Sequence, residues 1–351
     1  MVFSLNNLNK RQEHILQFID TKNQASALEI LKSIGKKVAK ITINRDLRQL
    51  ANLGLIESQG QGRAVVYRLS SQYNLIKPID AEQYFKIEED GRHIKERFDF
   101  SIFSYLKNIL TDEEKVFLQS KNQEYQKNIK NFSDVLLKKE FERLTIEMSW
   151  KSSRIEGNTY TLLETEQLLK EQQEPSGHTK EESLMILNHK KVLDYIRQNQ
   201  SQFKTLSVAK IEDVHSLIID KLKVTKNLRR RIVRITGTKY APLDNQFQIQ
   251  EAIERTCVLV NKENNPFAKA IILMLLLAYI QPFEDGNKRT SRLLGNAVLM
   301  AHNICPLSYR SIDELDYKKA IILFYEQNNL WLFKKLFIEQ FKFAMENYFG
   351  G

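Results

Sequence analysis

Apolar residues between Asn9 and Gly54 recur at three- and four-residue intervals, and after Gly54 the pattern changes to alternation. In "NKRQEHILQFIDTK", Ile15, Leu16, Phe18 and Ile19 share one face of a first helix, and "SALEILKSIG" gives a second helix closed by Gly35. "AKITINRDLRQLANLG" places Ile43, Leu47, Leu50 and Leu53 along a third, with Gly54 as its stop. "LIESQGQGRAVVYRLS" then reads as two short strands around the turn "QGQG". Residues 73–127 are mixed and charged and read as a partly helical connector. From 128 to 346 one helical pattern follows another, broken at "EPSGH" and at "RIVRITGTKYAPLDN". In the second break Ile232, Val233 and Ile235 precede Gly237 and Pro242, which predicts a β-hairpin projecting from a helical body.

Composition agrees with this reading. A chain of 351 residues is long for one core and suggests two domains, here 1–72 and 128–346 about the connector. With 42% apolar residues, 27% charged residues, 12 Gly and 6 Pro, the fold class expected is mainly α. Cys257 and Cys305 stand alone without metal-ligand or disulfide spacing, and the opening "MVFSLNNLNKRQEHILQFID" lacks a leader pattern, so a reducing cytoplasm is the expected location. The most apolar run, Ala268 to Ile280, has 13 residues including Lys269 and reads as a buried helix, with no membrane partner expected. A net charge of +10 admits an anionic partner.

The chemistry concentrates in "AYIQPFEDGNKRTSRLLGNA", Ala278 to Ala297. Leu293, Leu294, Ala297 and Val298 form the buried face of a helix whose first turn carries Arg289 and Arg292, three apart. Two guanidiniums at a helix start oppose the macrodipole, and their placement makes sense if an anion sits there too. Gly286, Asn287 and Lys288 offer successive backbone N–H groups to phosphate, and Asp285 beside them suits Mg²⁺. Phe283 anchors the loop, and His215 on "IEDVHSLIID" reads as a packing histidine.

"QPFEDGNKRTSR" resembles the signature of Fic (filamentation induced by cAMP) proteins, HxFx(D/E)GN(G/K)RxxR, with Phe283, Asp285, Gly286, Asn287, Arg289 and Arg292 in register. "SSRIEGNTYTLLET" resembles the family's inhibitory motif (S/T)xxxE(G/N) through Ser152, Glu156 and Gly157, on a helix near 145–158. "RRRIVRITGTKYAP" resembles the flap that holds the target segment and carries Thr236, Gly237, Thr238 and Tyr240. The resemblance implies AMP transfer from Mg-ATP to a Ser, Thr or Tyr hydroxyl of a protein target, and family members often form homodimers. It implies that Asp285 binds the metal, Gly286 to Lys288 cradle the α- and β-phosphates, Arg289 pairs with the β-phosphate and Arg292 holds the γ-phosphate. Glu156 would then occupy Arg292 and inhibit. Lys at position 288 also occurs in the related Doc toxins, which transfer phosphate, so either group transfer stays open.

Position 281 is histidine in the family, the general base for the target hydroxyl, and here it is Gln281. A hydroxyl is protonated at neutral pH and an amide has no usable basicity. Loss of general-base catalysis costs about 10²- to 10⁴-fold, while nucleotide binding rests on other residues. Three readings follow: a nucleotide-sensing pseudoenzyme, an adenylyltransferase whose base has been replaced, and an altered transferase using another base.

The order of three helices and a hairpin is that of a winged helix, and "ITINRDLRQLANLGLIESQGQGRAVVYRL" resembles winged helix-turn-helix regulators. Thr42, Asn44, Arg45 and Arg48 lie off the apolar stripe of the third helix and Arg63 lies in the wing, a set suited to phosphates and base edges of double-stranded DNA.

Overall fold

The computed structural model describes residues 8–35 and 38–349, without the side chain of Arg63. The chain divides into two compact units, Met1–Pro78 with Ser104–Glu113, and Ile79–Phe103 with Glu114–Gly351. The expected connector is thereby shared out: 79–103 and 114–127 belong with the helical unit, and 73–78 and 104–113 with the first.

In the first unit, helices α1 (Lys10–Lys22), α2 (Ala27–Ile34), α3 (Lys40–Asn52) and α4 (Ser71–Ile76) accompany strands β1 (Ala25–Ser26), β2 (Ile56–Gln59) and β3 (Val66–Leu69). Reciprocal capping boxes begin α1 at Asn9 with Gln12 and α2 at Ser26 with Glu29. Ile15, Leu16, Ile19, Ile43, Leu47 and Leu50 are buried as their spacing requires, whereas Leu53 caps α3 and is 37% exposed. The sheet is antiparallel in the order β1-β3-β2, with Ile56 opposite Leu69 and Ala25 opposite Tyr67. β1 was not expected, since two residues are too few to show alternation.

The chain continues through α5 (Ala81–Tyr84), α6 (Ile102–Tyr105), α7 (Asp112–Asn131), α8 (Asp134–Ile155), α9 (Leu162–Glu171), α10 (Lys180–Gln198) and α11 (Val208–Ile218). It ends with α12 (Gln246–Lys262), α13 (Pro266–Ile280), α14 (Asn287–Ala301), α15 (Glu314–Gln327) and α16 (Trp331–Asn347). The mainly α class is what the structure shows. α13 is its central element and is buried from Phe267 to Ile280. Pro266 opens it and the Asn265 side chain accepts from the N–H groups of Phe267 and Ala268 at 3.0 and 3.1 Å. α14 packs closely on α13 because Gly295 has no side chain; a Cβ there would lie 2.5 Å from Met274 Sδ. Among the described residues no helix is long and apolar enough to cross a membrane, and both cysteines are free and buried.

The flap differs from the hairpin expected of it. It turns at Thr236–Gly237, but its two arms do not pair, and its one bridge joins Ala241 to Arg97 in parallel. The arms are tied elsewhere. Buried Arg229 donates from Nε to the Gln281 carbonyl at 2.6 Å and from Nη1 to the Arg231 carbonyl at 2.9 Å, and its own N–H bonds the Pro282 carbonyl at 3.0 Å. Tyr240 donates its hydroxyl to the Tyr279 carbonyl at 2.8 Å, and the Ala241 N–H reaches the Glu96 carbonyl at 2.8 Å. With these anchors the arms are held apart without a ladder of their own.

Candidate active site

α13 ends where the chain must turn sharply. Gln281 adopts φ 51° and ψ 61°, a left-handed conformation uncommon outside glycine. Its side-chain amide donates to the Ala278 carbonyl at 2.6 Å and to the Tyr325 hydroxyl at 3.2 Å. Phe283 is fully buried and stacks on His215 with centroids 3.5 Å apart. His215 Nε2 donates to the Asp285 carbonyl at 3.0 Å, so this histidine packs and also fixes the loop. The Asn287 side chain closes the turn with two 2.8 Å bonds to the backbone of Phe283. Gly286, at φ 80°, precedes α14, and a Cβ there would meet Ile219 at 3.3 Å, so glycine is required. No side chain caps α14, which leaves its first-turn N–H groups for an anion.

The two arginines are held differently. Arg289, 2% exposed, donates from Nη2 to Asp285 at 2.6 Å, while its buried Nη1 has no hydrogen-bond partner. Arg292 is fully buried and donates from Nε to Ser152 Oγ, and from Nη2 to the Ser152 carbonyl and to Glu156 Oε1, each at 2.9 Å. Its guanidinium lies 5.3 Å from the Tyr317 ring centroid. The other oxygen of Glu156 is 3.1 Å from Lys288 Nζ. Burial works against the charged form of Glu156, yet Arg292 and Lys288 outweigh it and lower the carboxyl to about 2. Glu156 stands there because α8 stops at Ile155 and the chain reverses at Gly157, φ 99°. The segment expected near 145–158 spans the second half of α8, a helix that begins at Asp134 behind a Ser133 cap, and the turn that follows it.

Behind Ser152 lies His189, which sequence reading missed. The Met185 carbonyl can only accept, so His189 Nδ1 carries the proton that bridges their 2.8 Å contact. Nε2 therefore accepts from the Ser152 hydroxyl at 2.9 Å, and that oxygen in turn accepts from Arg292. Nothing in the order of residues joins positions 152, 189 and 292; packing of α8, α10 and α14 does.

Glu156, Gln281, Asp285 to Arg289, Val233 to Thr236, Tyr317 and Tyr325 line a cleft of about 450 Å³. The volume falls within the range of small-molecule sites. Among the described residues no group of three His, Cys, Asp or Glu side chains could hold a metal alone. The carboxylates in the cleft lining are Glu156, Glu284 and Asp285, the last with its side chain 62% exposed. Of the flap residues expected to face a target, Thr236 lines the cleft, while Thr238 and Tyr240 are 8% and 1% exposed and anchor the flap. The Gly237 carbonyl accepts from Arg92 at 2.7 Å, a partner with no sequence signal. Asn188 fastens the carbonyls of Ile218 and Asp220 at 3.1 and 2.8 Å, and Asn296 that of Leu307 at 2.8 Å. In the other unit, Arg45 and Arg48 are exposed on α3, Thr42 and Asn44 are half-buried, and the Arg63 side chain lies outside the described residues.

The two buried histidines make stability depend on pH. Burial lowers His189 to about 3 and His215 to about 4, against 6.5 in the unfolded chain. A histidine lowered on folding binds its proton more readily when unfolded, so its stabilising effect is full above pH 6.5 and is lost as pH falls through the window down to 4 and 3. At pH 5 each is expected to cost about 2 kcal/mol relative to pH 7.5. Urea unfolding at the two pH values checks this, and equal stabilities would show that neither ring is held neutral.

Residues 205–299 match the family model described as Fic/DOC family. The chain is 27% identical over 172 residues to a protein adenylyltransferase Fic of Nematostella vectensis, covering 48% of this chain and 40% of that protein. It is 28% identical over 164 residues to the protein adenylyltransferase Fic of Drosophila melanogaster, covering 45% and 33%. The chain thus spans two fifths or less of the length of these curated relatives. Among solved structures it is similar to a fragment of Fic-1 from C. elegans, with TM-score 0.58 and 18% identity over 68% of this chain and 72% of that one. It is also similar to a Fic domain containing signaling protein from Bacteroides thetaiotaomicron, with TM-score 0.55 and 20% identity over 66% and 95%. These two likenesses are of fold. The matched segment runs from the approach to α11 through the flap, α12, α13 and the loop that follows to Leu299 in α14, and it includes the flap, loop and α14 residues that line the cleft. Residues 205–299 of the helical unit thus match the Fic/DOC family model, and the fold of that unit is similar to those of solved Fic proteins.

Proposed function

We propose that the chain is a Fic-type protein adenylyltransferase scaffold that binds Mg-ATP, is held shut by Glu156 and lacks the base for transfer. The observation that carries this is the placement of Glu156, which holds Arg292 at 2.9 Å and Lys288 at 3.1 Å beside an uncapped helix start. The α14 N–H groups cradle the α- and β-phosphates, Arg289 turns its unpartnered Nη1 to the β-phosphate, and Arg292, once released by Glu156, holds the γ-phosphate. Asp285 would hold a Mg²⁺ bound beside the phosphates, and the ion would supply neutralisation of their charge. A Ser, Thr or Tyr hydroxyl of a target enters along the flap and meets Gln281, whose amide donates to Ala278 and takes no proton. Arg289→Ala is expected to weaken Mg-ATP binding at least about tenfold with the far-ultraviolet circular dichroism unchanged. Unaltered binding would remove this site from consideration.

A second reading is favoured by α3, whose Arg45 and Arg48 are exposed and have no ion-pair partner among the described residues. On this reading the first unit is a winged helix that binds double-stranded DNA and the nucleotide site acts as a sensor. Gel shifts with random-sequence duplex DNA should weaken steeply between 50 and 200 mM salt, by about tenfold or more, and Arg45→Ala with Arg48→Ala should flatten that dependence. A shift insensitive to both would count against DNA as the partner.

A further inference from the structure

The segment from Lys221 to Leu243 carries eight cations and no carboxylate. Arg229 is buried in the flap's anchor and Lys239 pairs with Asp90 at 2.8 Å. The other six, Lys221, Lys223, Lys226, Arg230, Arg231 and Arg234, are exposed and have no ion-pair partner among the described residues. Holding so many like charges on one loop is unfavourable to the folded chain by itself, and an acidic partner would relieve it.

The same loop offers an edge. The backbone N–H and carbonyl groups of Ile232 to Thr236 make no hydrogen bond among the described residues. Side chains alternate along this arm: Ile232, Arg234 and Thr236 are exposed, while Val233 and Ile235 are half-buried. An extended arm with unused backbone groups is a template for another extended peptide, which matches it bond for bond as a sugar–phosphate chain does not. Arg234 lines both the nucleotide cleft and a neighbouring groove of about 520 Å³ whose walls include Phe98, Phe100, Ile232 and Pro242. A peptide laid on the arm passes Arg230, Arg231 and Arg234 on its way to the cleft and has beside it a groove whose walls add Arg97 and Lys239 to that apolar surface, along with the carboxylates Glu96 and Asp244.

Resting on the reading of the cleft as a nucleotide site that modifies a protein, we propose that the flap of this chain selects an acidic target segment, one whose modified hydroxyl is flanked by Asp or Glu. Arg230, Arg231 and Arg234 supply the selection, and the free arm Ile232 to Thr236 supplies the register.

The test uses the full chain and three fluorescent probes: a serine peptide with Asp and Glu flanks, the same peptide with Lys flanks, and a single-stranded oligonucleotide matched to the acidic peptide in charge. Fluorescence anisotropy should show binding of the acidic peptide, weakening as salt rises. Replacing Arg230, Arg231 and Arg234 together by Glu should lower its affinity at least about tenfold, and replacing them by Gln about half as far on a logarithmic scale. A control carrying Lys127→Glu, Lys130→Glu and Lys139→Glu, on α7 and α8 with the same change of net charge, should stay within about twofold. Equal losses in the two Glu triples would overturn the proposal, because net charge alone would then explain the binding. Tighter binding of the oligonucleotide, lost in the flap variants, would overturn it in favour of nucleic acid. Mg-ATP binding measured in parallel separates the two readings: peptide selection without nucleotide binding sinks the nucleotide site and leaves the acidic flap, and the converse does the reverse.

Discussion

Replacing Gln281 by His is expected to raise transfer of label from α-labelled ATP by about 10²- to 10⁴-fold, measured in a chain that also carries Glu156→Gly. The backbone is already suited to the change. Residue 281 sits at φ 51°, a region in which histidine is more at home than most side chains, and its carbonyl is pinned by Arg229 at 2.6 Å whatever side chain follows. The Tyr325 hydroxyl, 3.2 Å from the present amide, gives an imidazole a hydrogen-bond partner. What the substitution adds is a nitrogen that accepts a proton near neutral pH. Absence of label after restoration would mean that the shell binds nucleotide and does nothing further, as the sensor reading requires.

Glu156→Gly is expected to act in two directions at once. Without nucleotide it removes the only carboxylate that offsets fully buried Arg292 among the described residues and leaves Lys288 unpaired as well. Breaking one side of a buried ion pair costs about 3–5 kcal/mol, and because the Glu156 side chain is 16% exposed the loss should lie near the lower figure. With Mg-ATP present the freed Arg292 has a phosphate to hold, and saturating nucleotide should restore much of the lost stability by linkage. Thermal unfolding with and without Mg-ATP therefore separates a competing glutamate from one that only staples α8 to α14. A staple predicts the same nucleotide-induced shift in parent and variant; a competitor predicts a larger shift in the variant.

Much of the site was legible in the sequence because it is local. Gly286, Asp285, Arg289 and the helix that follows lie within a few positions of one another, and their placement depends on one turn. α13 was legible for the opposite reason, since a run of buried residues on every face leaves no room for another reading. The missed parts are those that tertiary packing assembles. His189 reaches Ser152 across two helices, Arg92 reaches the Gly237 carbonyl across 145 positions, and Asp46, 1% exposed on α3, finds its partner in Arg11 of α1. The flap was read correctly as a break with a turn, but its β-rich composition pointed to paired arms. Arg229 and Tyr240 hold those arms to the end of α13 instead, and no local pattern foretells anchors that span 52 and 39 residues. The exposed side of α3 followed from its stripe, because one buried face fixes the other.

Inhibition by Glu156, as proposed, requires that it compete with nucleotide for Arg292. Calorimetric titration of Mg-ATP into the parent chain and into Glu156→Gly tests this most directly. The expected result is binding to both, tighter in the variant by about 5- to 150-fold, the usual span of a coupling of one to three kcal/mol. Equal affinities, or loss of binding in a variant that remains folded, would contradict it.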